Sequence, residues 1–173
     1  MKVLALVILV IALSGCSAIK KTVSVLPFVS TNDVKAIGVV VRPMTRPPHA
    51  VVVDLVFVHE ELVNEVVSGI DAATWFESQS DYCRIYSDNL DVLRFEIVAG
   101  FGTGTAVLPK KHHKALAVYA FSNYPSGVGT QLDVSGLKVP WLTIDEDGTA
   151  VVDSRDKGRV PGADNVLGEE KPC

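Results

Sequence analysis

The strongest constraint on this chain is a change of period near residue 59. Ala50 to Val58 (AVVVDLVFV) is dominated by β-branched residues and reads as a strand. Directly after it, Leu62, Val63, Val66, Val67 and Ile70 fall at i, i+1, i+4, i+5 and i+8, the spacing of one helical face. Glu60 and Glu61 lie in the first turn, where carboxylates suit the helix dipole, and Gly69 fits a terminus. Asp71 can cap a second helix from Ala72 that gathers Trp75, Phe76, Gln79, Tyr82 and Cys83 on one side. Inward packing is expected of Val63, Val66, Val67, Ile70, Trp75 and Phe76. This stretch, residues 60 to 82, is a short helical insert between segments of β character.

On the N-terminal side, Lys35 to Val41 is a further strand, joined to Ala50 to Val58 by Arg42-Pro43-Met44-Thr45-Arg46-Pro47-Pro48-His49. Three prolines lack the N–H a ladder needs, so this is a stiff connection rather than a strand. On the C-terminal side, Leu93, Phe95 and Ile97 alternate with Arg94 and Glu96, the period of a half-buried strand. Thr103 to Leu108, Ala115 to Ser122, Gly129 to Val134, Val139 to Asp145 and Thr149 to Asp153 follow, and Asp147-Gly148 is a tight hairpin signal. Short strands at this spacing predict a mainly β domain, an antiparallel two-sheet β-sandwich, over residues 34 to 153. Residues 154 to 173 form a polar Gly/Pro-bearing tail, expected to be mobile.

The remaining organisation is set at the N-terminus. Lys2 precedes Val3 to Leu13, an uncharged apolar run of eleven residues, and Leu13-Ser14-Gly15-Cys16 follows. A bilayer core needs ~20 apolar residues, so the run matches a signal peptide, residues 1 to 15, better than a spanning helix. Leu-Ser-Gly-Cys resembles the lipobox of bacterial lipoproteins. The resemblance implies cleavage before Cys16 and acylation of that residue, palmitate included, with residues 16 to 33 as a lipidated tether. Ser17 stands where an Asp would signal inner-membrane retention, which implies the periplasmic face of the outer membrane of a Gram-negative cell. The alternative is an ordinary secretory peptide with a cysteine nearby. In an oxidising compartment Cys83 and Cys173 either form a disulfide, or Cys83 is a buried apolar thiol and Cys173 the end of a polar tail.

No other segment carries recognisable chemistry. With 16 basic against 20 acidic residues and no Lys/Arg stripe, the chain lacks the cations that a nucleic-acid binder needs. Gly100-Phe101-Gly102-Thr103-Gly104 invites a phosphate-loop reading but runs into an extended, Pro-bearing segment, so a glycine-rich turn is preferred. His112-His113 lies among Lys110, Lys111 and Lys114, which repel a cation, and His59 has no fixed distance to it. The carboxylates of Asp54, Glu60 and Glu61 could supply a hydrolytic pair only by assertion, and there is no Gly-x-Ser-x-Gly elbow. The expectation is therefore a protein that is not an enzyme and uses no metal or other cofactor.

The order of lipobox, tether, strand, Pro-bearing loop, strand and helical insert with Trp75-Phe76 resembles the outer-membrane lipoprotein of type VI secretion systems, the TssJ/VasD family. The likeness extends through Val51 to Phe57, Phe76 with Asp81-Tyr82, Val92 to Gly100 and Leu116 to Tyr124, although Ala99-Gly100 stands where Pro-Gly is expected and no Trp-Arg pair closes the late strand. It implies a transthyretin-like sandwich without enzymatic activity. It also implies a structural role, holding the periplasmic domain of an inner-membrane core protein, with the loop between the first two strands as part of the contact. In this chain that loop is Arg42 to His49. Arg42, Met44 and Arg46 are its candidate partner-binding residues, Met44 as an adaptable apolar contact and the arginines as multi-donor partners for carboxylates. The rival is a free-standing periplasmic lipoprotein that acts as a binding module or inhibitor.

Overall fold

The computed structural model describes residues 32–44, 50–102, 106–123, 129–153, 169–171 and 173. Within the described residues lie eight strands, β1 (Gly38–Val41), β2 (Val51–Val58), β3 (Leu90–Ile97), β4 (Ala117–Asn123), β5 (Thr130–Asp133), β6 (Pro140–Asp145), β7 (Gly148–Asp153) and β8 (Glu169–Lys171). Two helices, α1 (Glu61–Ser68) and α2 (Ala72–Tyr86), separate β2 from β3. The strands form a three-stranded sheet in the order β1-β6-β7 and a five-stranded sheet in the order β5-β4-β2-β3-β8. The fold is thus mainly β, a two-sheet sandwich with a helical insert.

β2 explains why three layers form. It is the middle strand of the larger sheet, flanked antiparallel by β3 and β4, and is buried on both faces. Val51, Val53, Leu55 and Phe57 join β1 and β6 residues such as Val39 and Leu142 in the core between the sheets. The alternate positions Val56 and Val58 join Val63, Val67 and Trp75 in a second core under the helices. An almost unbroken apolar run is what a strand covered twice requires. Ser122, which is buried, satisfies its hydroxyl against Thr149, Oγ to Oγ1 at 2.7 Å.

The helices follow their start signals. Glu60 caps α1 by accepting from the Leu62 N–H, and Asp71 caps α2 by accepting from the Thr74 N–H at 2.8 Å, which holds the Asp71 carboxyl below its ordinary range. α1 docks through Val63 and Val67, one turn apart. Val66 lies off that stripe and is 36% exposed, contrary to the inward packing expected of it, because an eight-residue helix offers only one narrow contact line. Trp75 is fully buried, and Ile70 and Phe76 are partly buried against the same core.

Several boundaries differ from expectation. β1 is shorter, because residues 33 to 37 are held by single backbone bonds, Asp33 N–H to Ser135 O, Lys35 N–H to Lys138 O and Ala106 N–H to Ile37 O, rather than by a ladder. β1 pairs parallel to β6, since the chain leaves β1 for the other sheet instead of turning back beside it. The compact unit starts at Asn32, whose buried amide donates to His112 O and Ala115 O, both at 2.8 Å. Of the strand expected over residues 103 to 108, the described part, Ala106 to Leu108, is not in a strand. The tail is not wholly free: β8 pairs antiparallel with β3, setting Val92 opposite Lys171 and Arg94 opposite Glu169.

Candidate interaction surface and the buried charge cluster

The base of the β1–β2 loop is stapled to a second turn. Val41 N–H donates to Phe101 O at 2.9 Å, Gly100 N–H donates to Val41 O at 2.8 Å, and Val40 makes an isolated bridge with Gly102. Gly100 has φ +89°, a left-handed conformation that favours glycine and explains why a glycine-rich turn follows β3. The turn leaves Val98 and Phe101 50% and 57% exposed. Arg42 is exposed and donates its backbone N–H to Ile144 O at 2.8 Å, which fixes the loop to the end of β6. Met44 is half-buried against the main core, so its thioether already has apolar neighbours. Arg46 and Cys16 lie outside the described residues.

One end of the sandwich therefore combines a cation from the loop with two exposed apolar side chains from a turn some sixty residues away in sequence. Sequence reasoning marked the glycine turn but not Phe101 and Val98 as surface residues. The available signal was two large apolar residues flanking Ala99-Gly100, where a solvated turn would carry polar ones.

A second constellation lies beneath α2. Asp54 is fully buried at the middle of β2, and Arg94 is its directly opposite neighbour on β3. The Asp54 carboxylate accepts from Arg94 Nε at 2.7 Å and Nη2 at 2.6 Å, from Trp75 Nε1 at 2.9 Å and from Gln79 Nε2 at 2.9 Å. Arg94 Nη2 also donates to Gln79 Oε1 at 2.6 Å, and the guanidinium carbon stands 6.0 Å from the Phe76 ring centre. The hydrogen bond to Asp54 pushes the Arg94 pKa up, with desolvation opposing it and the Asp54 and Glu96 charges assisting. Both oxygens of Asp54 are occupied by donors, so this carboxylate is a structural anchor for α2 rather than a free base. A lone acid inside an apolar strand, with one arginine in the next strand, was the sequence signal for this cluster.

The histidines are dispersed among other tasks. His59 Nε2 contacts Asp91 Oδ2 at 2.8 Å, while His112, in the 3-10 turn His112–Lys114, contacts Pro109 O through Nδ1 at 2.8 Å. No cluster of three or more His, Cys, Asp or Glu side chains suited to a metal ion occurs among the described residues. Cys83, on α2, and Cys173 are joined by a disulfide. Among the described residues, no helix is long and apolar enough to cross a membrane.

No protein-family model matches this chain, and no curated protein matches it either. Among solved structures, the chain is similar to Lip from Serratia marcescens, a membrane-bound component of the type VI secretion system. The identity is 12%, the match covers 68% of this chain and 96% of that one, and the TM-score is 0.42.

Proposed function

We propose that this chain is an outer-membrane-anchored periplasmic lipoprotein and a structural component of a type VI secretion membrane complex, binding the periplasmic part of an inner-membrane core protein without catalysing a reaction. The observation that carries this reading is the pairing of a Leu-Ser-Gly-Cys lipobox in the sequence with a sandwich end that presents Arg42 beside exposed Val98 and Phe101. A loop whose three prolines restrict its backbone and whose base is stapled at Val41 and Arg42 loses little conformational entropy on docking, and a cation beside aromatic and aliphatic surface is the composition that interface centres favour. The family resemblance of the sequence supplies the partner class.

The test is capture of periplasmic core-protein domains by purified native chain and by two variants, R42A/R46A and V98S/F101S, Met44 being left in place because it packs against the main core. Truncating a hot spot costs ~2 kcal/mol or more, about thirtyfold in affinity. Loss of capture with an unchanged melting temperature in either variant supports the surface. Full capture by both would remove it, and failure of the native chain to capture any core domain would favour a free-standing binding module or inhibitor.

A further inference from the structure

β3 has eight residues, yet on the side away from β2 its pairing with β8 spans only Val92, Leu93 and Arg94. Uncovered, this side of β3 would present the N–H and C=O of every second residue as a template for another strand. The segment that covers it is Glu169-Glu170-Lys171, followed in sequence by Pro172 and then by Cys173, which is bonded to Cys83 of α2. Charged residues and proline are what edge strands carry when further pairing is to be prevented, and proline has no N–H to donate. Three ladder residues bind weakly by themselves. The bridge closes a loop of 90 residues in sequence and keeps the segment in place regardless of how weakly it pairs.

We propose that β8 and the Cys83–Cys173 bridge form a latched edge guard that prevents β3 from pairing with β3 of a second copy of this chain. The occupant follows from the sequence of the strand. Antiparallel pairing about a two-fold axis through Phe95 sets Arg94 of each copy opposite Glu96 of the other, with Leu93 opposite Ile97 and Val92 opposite Val98. Arg94 keeps Asp54 and Gln79 through Nε and Nη2, so Glu96 of the opposing copy would meet the Nη1 edge of the partly exposed guanidinium. That contact occurs twice and apolar residues meet apolar residues, which is the isologous complementarity a two-fold dimer requires. Glu96 is exposed and so available for that pairing, whereas β8 occupies the positions of Val92 to Arg94 that the register needs. Among the described residues the guard covers those shared positions of β3, which is sufficient to break the pairing.

The test uses the full chain in detergent and compares native protein with C83S/C173S and with C83S lacking residues 169 to 173, each with and without E96R. Mass is followed by light scattering against concentration, and backbone exchange of Val92 to Arg94 by hydrogen–deuterium measurement. Expected is a dimer dissociation constant at least tenfold lower in both unlatched variants than in the native chain. The same variants at dilution should show faster exchange at Val92 to Arg94, and E96R, which places like charge opposite Arg94, should abolish the gain. Equal masses for latched and unlatched chains, or association indifferent to E96R, would overturn the proposal. So would unfolding of both unlatched variants, since the bridge would then support the core rather than cover an edge.

Discussion

At the scale of single residues, the arrangement around Asp54 makes the two halves of one ion pair unequal. Asp54 is fully buried, whereas the Arg94 side chain retains 21% exposure and can turn toward water. R94A therefore strands a carboxylate that has no route to solvent, while D54A leaves a guanidinium that does. Breaking a buried pair costs ~3–5 kcal/mol, and R94A is expected at the upper end of that range with D54A below it. Urea denaturation of the two variants checks the order, and a larger loss in D54A would mean that the orphaned Trp75 and Gln79 donors outweigh the stranded charge. Tyr119 provides a pH dependence. Its hydroxyl donates to Asn64 Oδ1 at 2.9 Å, and burial first, then the Asp133 and Glu61 charges, raise its pKa above the ordinary value of 10.0, against a hydrogen bond with Ser68. A raised folded-state pKa contributes stability that is fully present below pH ~10 and is lost as the pH climbs through the folded value. Y119F should flatten that alkaline decline, as read from urea midpoints measured from neutral pH upward.

At the scale of elements, Trp75 docks α2. Its ring stacks on Phe121 at 5.0 Å and on Tyr82 at 5.8 Å, and its N–H reaches Asp54, so the helix is held by both area and direction. W75F keeps an aromatic ring against Phe121 but leaves Asp54 one donor short, a loss of ~1–3 kcal/mol, whereas W75A also opens a cavity and should cost ~3–5 kcal/mol. Thermal melting together with near-ultraviolet circular dichroism distinguishes the two. Removing the bridge should cost a further ~4–5 kcal/mol on the chain-entropy account of a 90-residue loop. How legible these elements were follows from their physics. β2, α1 and α2 could be read because periodicity and caps are local, and Asp71 accepting from the Thr74 N–H is a signal contained within four residues. β8 could not, since a Glu-Glu-Lys segment has no β propensity and is a strand only because β3 and Cys83 hold it. The Asp54–Arg94 pair was half legible: a lone acid in an apolar strand can be read locally, but its pairing with Arg94 depends on a register between strands separated by two helices. Of the candidate surface, the loop was legible from its prolines, while its partnership with Phe101 depends on long-range backbone bonds.

At the scale of the whole molecule, the proposed anchor and the proposed docking surface fall in different parts of the chain, so the reading predicts that their effects can be separated. Cys16 precedes a compact unit that begins at Asn32, and the fifteen residues from 17 to 31 can reach at most ~50 Å when fully extended. One acyl chain binds a membrane only marginally, and two or more make the association durable. The effect of lipidation would be to confine the domain to a thin shell under the membrane and raise its concentration there, as a linker does for a second binding site. The expected behaviour of C16S follows: loss of palmitate incorporation, release from the membrane fraction at high salt, and unchanged affinity for a core-protein domain in solution. Activity of the secretion complex in cells should nevertheless fall, and partial recovery on overexpression is expected, since raising the bulk concentration substitutes for confinement. If C16S still sediments with outer membranes at high salt, the lipoprotein reading fails. If it is released but also loses affinity in solution, anchoring and docking are not independent, and the surface at Arg42, Val98 and Phe101 is incomplete without the N-terminal segment.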